Sequence, residues 1–137
     1  MYEIEQSIGF LLAKVHQRGF SLFKEQLDPH NLTPPQFALL AFLWQEDNLS
    51  QAELSARTQI DRTTMGGLID RLEKELLVER HHDPDDRRTH RIRLTQRGKS
   101  LEEELCHIAH QVTERFLAPI TPAEQQTLQS LLVKLRY

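Results

Sequence analysis

The sequence predicts a mainly α-helical chain with one small β-hairpin, and three observations in its middle third predict it. Ser50-Gln51-Ala52-Glu53 has the form of a capping box, opening a short helix that ends near Thr58. Beyond Asp61, a residue suited to capping, Met65, Leu68, Ile69, Leu72 and Leu76 recur on one face at helical spacing. The other face carries Arg62, Thr63, Gly66, Gly67, Asp70 and Lys74, all small or polar. Finally, Val78 to Leu94 alternates on both sides of Asp83-Pro84-Asp85-Asp86, which predicts two strands and a turn. A short helix, a turn, a longer helix and an arginine-rich hairpin make a winged helix-turn-helix. In that arrangement the second helix buries one side and lays the other in a DNA groove.

Helices flank this unit. Ile4, Ile8, Leu11, Leu12, Val15, Leu22 and Phe23 recur at helical intervals to about Leu27, and Phe10 and Phe20 widen the apolar surface. A helix apolar on more than one side packs against more than one partner. Asp28-Pro29-His30-Asn31 breaks it, and Thr33-Pro34-Pro35-Gln36 restarts the chain with a second capping box. Phe37, Leu40, Leu43 and Trp44 form the inward face of this helix. After the hairpin, Thr95 caps a long helix in which Leu101, Leu105, Ile108, Val112 and Phe116 approximate a heptad seam. Thr121-Pro122-Ala123-Glu124 opens a last helix with Leu128, Leu131, Leu132 and Leu135. The terminal helices carry more apolar surface than one small domain needs, so they are expected to pair with a second copy. Ile4, Ile8, Leu105, Ile108, Val112, Phe116, Leu128 and Leu132 are the expected dimer contacts. The expected organisation is a single domain over 1–137, with the winged unit at about 32–98 and dimerisation helices at about 1–30 and 99–137.

Net charge over the 137 residues is −3, but its distribution is uneven. From Arg57 to Lys99 eleven Lys and Arg face eight Asp and Glu, so this segment is +3 and the remainder −6. Basic charge gathered on one surface suits a nucleic acid more than the total suggests. A solvated face explains a single arginine but not Arg87, Arg88, Arg91 and Arg93 around one turn. No apolar run can span a bilayer and no signal pattern opens the chain, which predicts a cytoplasmic protein. The single Cys106 excludes an intrachain disulfide.

These residues resemble a known family. Leu32-Thr33-Pro34-Pro35-Gln36-Phe37-Ala38-Leu39-Leu40 is similar to the opening motif of the MarR winged-helix transcription regulators, and Leu49-Ser50-Gln51-Ala52-Glu53-Leu54-Ser55 to its helix-turn-helix entry. Asp70-Arg71-Leu72-Glu73, Val78-Glu79-Arg80, Asp83-Pro84-Asp85-Asp86-Arg87-Arg88 and Leu94-Thr95-Gln96-Arg97-Gly98 follow in the same order and spacing. The resemblance implies a dimer of winged helices that occupies a promoter and leaves it when a small molecule binds. It also implies a ligand pocket between the DNA-binding unit and the dimer helices, with small aromatic acids as the first ligand class. The chain departs from the pattern where Leu76 replaces a common glycine after the second helix, and where Gly66-Gly67 replaces more polar or basic residues. Two glycines weaken the helix by about 1 kcal/mol each relative to alanine; either its backbone approaches DNA closely, or specificity leans on Thr63, Thr64 and the wing.

The expected DNA contacts are then specific. Arg62, Thr63 and Thr64 open the second helix, where amides and the helix dipole favour phosphate and the side chains can reach bases. Ser50 and Gln51 hold the DNA backbone, Gly66, Gly67 and Arg71 line the groove face, and Arg87, Arg88 and Arg91 reach from the wing. Asp86 orients Arg88. A dimer of such units addresses double-stranded DNA as a pseudo-palindrome with half-sites ~34 Å apart. His16, Phe20, Phe37 and Trp44 are candidates for the small-molecule effector site, although ordinary core packing explains most of them.

No cofactor and no metal are expected. His107 and His110 share a helix face at a spacing able to chelate zinc, but a third and fourth ligand are not evident. Cys106 reads as a buried small hydrophobe. A metal- or redox-responsive regulator of the same fold is therefore an alternative, as is a winged-helix module that binds proteins and DNA only weakly. An enzyme has no support: the chain lacks a phosphate-binding glycine loop, an activated nucleophile motif and a metalloprotease signature.

Overall fold

The computed structural model describes all of residues 1–137. A single 3-10 turn, Ile4–Gln6, precedes α1 (Ile8–Leu27), so the first helix starts later than its apolar periodicity suggests. Ser7 sets the start, its hydroxyl accepting from the Phe10 amide at 3.3 Å. A 3-10 turn at Asp28–His30 and a left-handed Asn31 (φ 56°) reverse the chain into α2 (Pro34–Gln45). The Thr33–Gln36 capping box is complete: the Gln36 amide donates to Thr33 Oγ1 at 3.5 Å and Thr33 N to Gln36 Oε1 at 3.0 Å. Helix α2 is apolar all round because it is central, packed by α1, α4, α6 and the sheet. Leu39, Leu40 and Leu43 are buried, whereas Phe37 and Trp44 are only half-buried.

The helix-turn-helix is α3 (Gln51–Thr58) and α4 (Arg62–Lys74), joined through a left-handed Gln59 at φ 62°. The wing strands are β2 (Val78–His82) and β3 (His90–Leu94). A third strand absent from the sequence reading, β1 (Leu49–Ser50), pairs antiparallel with β3, giving the order β1-β3-β2. Ser50 is therefore both a strand residue opposite Arg91 and the cap of α3. Its hydroxyl accepts from Glu53 N at 3.0 Å, but Glu53 does not reach back, so only half of the expected capping box forms. Met65, Leu68, Ile69 and Leu72 of α4 join Leu27, Leu54, Leu77, Val78 and Ile92 in one core.

Three expectations are corrected. Leu76 does not extend the buried face of α4: it is 65% exposed and left-handed at φ 61°. It occupies the residue just past the helix in a Schellman ending, with Leu77 N bonded to Leu72 O at 3.0 Å and Leu76 N to Glu73 O at 2.9 Å. The chain thus reverses where the family usually has glycine, at a conformational cost of about 1–2 kcal/mol for a side chain in that region.

The long helix after the hairpin is two helices, α5 (Gln96–Ser100) and α6 (Glu102–Leu117), separated at Leu101. They answer to different neighbours. Helix α5 is pinned to the end of α4 and to α2: Thr95 Oγ1 donates to Leu76 O at 2.6 Å, and Trp44 Nε1 to Gly98 O at 2.9 Å. Helix α6 runs instead along α1.

The third correction follows from that. Leu105 is fully buried and Val112 is 9% exposed, and Ile108 packs on the same core, so these residues pack within their own chain. Phe116 is half-buried, lying under the Arg18 guanidinium at 5.0 Å and against Gly19. The apolar residues left uncovered lie elsewhere, at Ile4, Ile8, Leu11, Leu12 and Val15 around α1 and on α7 (Pro122–Leu135), which has no buried residue. No helix is long and apolar enough to cross a membrane.

Candidate nucleic-acid interface

The recognition helix α4 begins at a tightly organised cap. Asp61 Oδ1 accepts from Thr64 N at 2.8 Å and Oδ2 from Thr64 Oγ1 at 3.0 Å. The Thr64 amide, then its hydroxyl, hold the Asp61 carboxyl below the usual aspartate range. Thr64 is thereby committed first to the cap, which leaves Arg62 and Thr63 as the freer side chains of this turn. Both are exposed, as are Gly67 and Arg71 further along the same helix.

The two glycines differ. A side chain at Gly67 would meet nothing within 4 Å, so this stretch of backbone is bare toward solvent. At Gly66 it would meet Gln51 Nε2 at 3.7 Å, an ordinary contact with α3. Gly66 therefore lies at the crossing of the two helices rather than on the open face.

In the wing, Asp83 and Asp86 each fold the loop around themselves. Asp86 Oδ1 accepts from Arg88 N at 3.0 Å, and its Oδ2 from Thr89 Oγ1 at 3.3 Å. The Arg88 side chain, 95% exposed, stands free at the tip with only a loose 3.7 Å approach to Asp86. Arg87 is also exposed, and its carbonyl accepts from His82 Nδ1 at 3.0 Å. Between wing and helices lies a cleft of about 220 Å3 lined by Gln51, Ala52, Arg62, Arg88, Thr89 and His90. Arginines from the first turn of α4 and from the wing tip thus face one concave surface, with amide and imidazole groups beside them. Such a surface presents donors of the kind that phosphate oxygens accept from.

Arg91 departs from expectation. Its Nε donates to Asp83 Oδ2 at 2.8 Å and its Nη1 to Asn48 O at 2.8 Å, so it is a tie inside the wing rather than a free cation. Arg93 joins it, Nε donating to Asn48 Oδ1 at 3.0 Å, and Asp47 Oδ1 takes the Leu94 amide at 2.9 Å. The Asp47-Asn48 turn, with Asn48 left-handed at φ 61°, is therefore the latch on β3. Sequence reading missed it, although an Asp-Asn pair between two apolar runs is an ordinary turn signal. It also missed Arg80, whose guanidinium meets Asp70, Glu73 and the Gly66 carbonyl of α4.

The effector candidates form one pair on α1 and one on α2. His16 and Phe20 make one pair on α1 at 6.1 Å, while Phe37 and Trp44 stack edge-on at 5.8 Å with Phe23 beside them. The Trp44 indole N–H is already spent on Gly98. An open cavity of about 850 Å3 lies elsewhere, between α6 and α7, with Phe116, Leu117, Leu128 and Leu132 in its wall.

No three His, Cys, Asp or Glu side chains converge as metal ligands, and His30 lies beside Glu104 at 3.6 Å. Burial, then the neighbouring Glu102, push the Cys106 thiol up, away from the reactive thiolate.

The sequence pattern described as the MarR family matches residues 32–90. The HTH-type transcriptional repressor NicR of Pseudomonas putida is 33% identical over 134 residues, covering 98% of this chain and 85% of NicR. A solved structure of Bordetella bronchiseptica BpsR, from work on regulation of its DNA binding by 6-hydroxynicotinic acid, superposes with a TM-score of 0.92. It is 32% identical and covers 99% of this chain and 97% of that one. A mutant MarR from E. coli complexed with operator DNA has a TM-score of 0.87 at 27% identity, covering 93% and 92% of the two chains. With its helix-turn-helix, its arginine-tipped wing and this similarity from end to end, the chain belongs to the MarR family of transcriptional regulators.

Proposed function

We propose that this protein is a cytoplasmic, non-enzymatic repressor that binds a pseudo-palindromic duplex as a homodimer and releases it on binding a small aromatic acid. The observation that carries the DNA-binding part is the cleft where Arg62 and Arg88 meet beside Gln51, Thr89 and His90. Wing and recognition helix there share one phosphate-facing surface, and Arg87, Thr63, Gly67 and Arg71 extend it outward. Ser50 is too buried to do more than set α3 for its neighbour Gln51.

The second copy is supported by the uncovered apolar side chains of the terminal segments, Ile4, Ile8, Leu131 and Leu132 among them. With Leu105 in the core and Val112 buried in its own chain, the partly covered Ile108, Leu128 and Phe116 and the exposed Leu132 remain for the partner. The dimerising segments are then about 1–30 and 99–137, and the DNA-binding unit about 32–98.

The ligand class rests on the likeness to BpsR, whose DNA binding is regulated by 6-hydroxynicotinic acid. His16 and Phe20, adjacent on α1, offer a titratable ring and an aromatic face for such an acid. The test is titration of 6-hydroxynicotinic acid, nicotinic acid and benzoic acid into a preformed complex with a selected duplex, read by fluorescence anisotropy. Release by one of these acids at concentrations that leave the protein folded supports the reading. Retention of the duplex against all three removes aromatic acids as the effector class.

A further inference from the structure

Arg80 lies on β2, outside the groove face of α4, yet its side chain reaches three points along that helix. Its Nη1 contacts Asp70 Oδ1 at 2.5 Å and also Glu73 Oε1, and its Nη2 donates to the Gly66 carbonyl at 3.1 Å. The Arg80 backbone amide adds a bond to Glu73 Oε2 at 3.4 Å. These contacts span two turns of α4, from Gly66 to Glu73. The guanidinium is 21% exposed and Glu73 36%, so the pair is shielded from much of the screening that makes surface ion pairs weak. Next to Arg80 in the sheet, Ile92 is its register partner and is fully buried, which fixes the strand from which the side chain extends.

We propose that Arg80 is a positioning residue for DNA reading, setting the rotation and depth of α4 against the wing so that the two enter adjacent grooves in one register. Three physical points support this. A planar fork holds two carboxylates and a carbonyl in fixed relative directions, which an ammonium on a flexible stem does not. The helix it holds carries Gly66-Gly67, two residues of poor helix propensity, at the point where the Gly66 carbonyl is gripped. The contact also sets one positive charge against Asp70 and Glu73, offsetting one of the two acidic charges this helix would otherwise bring toward phosphate. Misplacing a reading helix by a fraction of an ångström weakens base contacts, which are directional, far more than phosphate contacts, which are not.

The inference rests on the DNA-binding reading, and its test has an arm that does not. Arg80→Lys and Glu73→Gln are each compared with wild type for affinity to a duplex selected by the wild-type protein, affinity to a scrambled duplex of the same composition, and salt slope. The expected result in both variants is a drop of roughly tenfold in the ratio of the two affinities; scrambled-duplex affinity stays unchanged in Arg80→Lys, which keeps its charge, and does not fall in Glu73→Gln, which removes an acid. Equal loss on both duplexes, with the slope reduced by about one, would make Arg80 a phosphate contact and overturn the proposal. An unchanged ratio overturns it as well. The second arm is amide hydrogen exchange without DNA: exchange across residues 66–74 should accelerate in both variants while α2 and α6 keep wild-type rates. Unchanged exchange in α4 contradicts the proposal even if wild type selects no duplex, an outcome that would count separately against the DNA-binding reading. Global acceleration, α2 and α6 included, would mean a general stability role and would also overturn it.

Discussion

Arg91 Nε sits 2.8 Å from Asp83 Oδ2, closing the wing loop onto its own strand. The Asp85 amide, then Arg91, hold the Asp83 carboxyl below the usual range. Asn48 O takes the other end of the Arg91 guanidinium. Arg88, three residues earlier, has no such partner and is 95% exposed. Two arginines that look alike in the sequence therefore have opposite expected behaviour.

Arg88→Ala should lower duplex affinity about tenfold and reduce the salt slope by about one, with fold and assembly unchanged. Arg91→Ala should lower affinity by a comparable factor while the slope stays near wild type, because the phosphate-facing cations remain and only their mounting loosens. Anisotropy titrations at several salt concentrations separate the two. Equal loss of slope in both variants would return Arg91 to the DNA surface.

Leu105 and Leu132 should separate folding from assembly. Leu105 is fully buried, so Leu105→Ala should cost about 2–5 kcal/mol and Leu105→Asp should prevent stable folding. Leu132 is 44% exposed, and Leu132→Asp should leave a folded protein that sediments as a monomer. Thermal melts and sedimentation velocity check both. A folded Leu105→Asp monomer would restore the seam on α6 as the interface.

Backbone conformation makes a third contrast. Leu76 stands at φ 61° with an exposed side chain, so Leu76→Gly should stabilise by about 1 kcal/mol, relieving the left-handed cost with little lost burial. Gly98 has the opposite constraint. A Cβ there would fall 2.2 Å from Leu77 O, so Gly98→Ala must displace α5 or the end of α4 and should destabilise by about 1–3 kcal/mol or more. Denaturant unfolding measures both signs.

The Asp61 cap is pH-sensitive in a defined direction. Its folded pKa lies below the usual 3.8, so its contribution is present above that value and is lost as pH falls through the folded pKa. Acid should therefore fray the start of α4, read as faster amide exchange at residues 62–65 below about pH 3.8. Asp61→Asn should remove this pH dependence, because an amide still accepts the cap bond but does not titrate.

Much of this was legible before the structure. Periodicity and caps place α2, α3, α4 and α7, and the alternation around Asp83-Pro84-Asp85-Asp86 places the wing. Burial against one's own chain or a second copy was not legible, because Leu105, Ile108 and Val112 make the same apolar stripe in either case. The split at Leu101 was hidden because α5 is held by a backbone contact at Gly98 and the Trp44 indole, neither of which shows in a hydrophobic pattern. Strand β1 spans two residues and has no periodicity to detect. Among the arginines, sequence counts charges but cannot tell Arg88 from Arg91 or reveal that Arg80 is spent on α4, since those roles depend on partners as far away as Asn48. The four aromatic-site candidates follow from the pocket that the family resemblance implies, and sequence does not show that His16 and Phe20 pair on α1 while Phe37 and Trp44 pair on α2.

The most direct test is selection of bound sequences from a random duplex pool, with the recovered sequence then followed against salt. This account predicts a pseudo-palindrome with half-sites ~34 Å apart, bound by a dimer with a steep salt slope that Arg62→Ala and Arg88→Ala each reduce. Recovery of no preferred sequence by folded protein at low salt would contradict it.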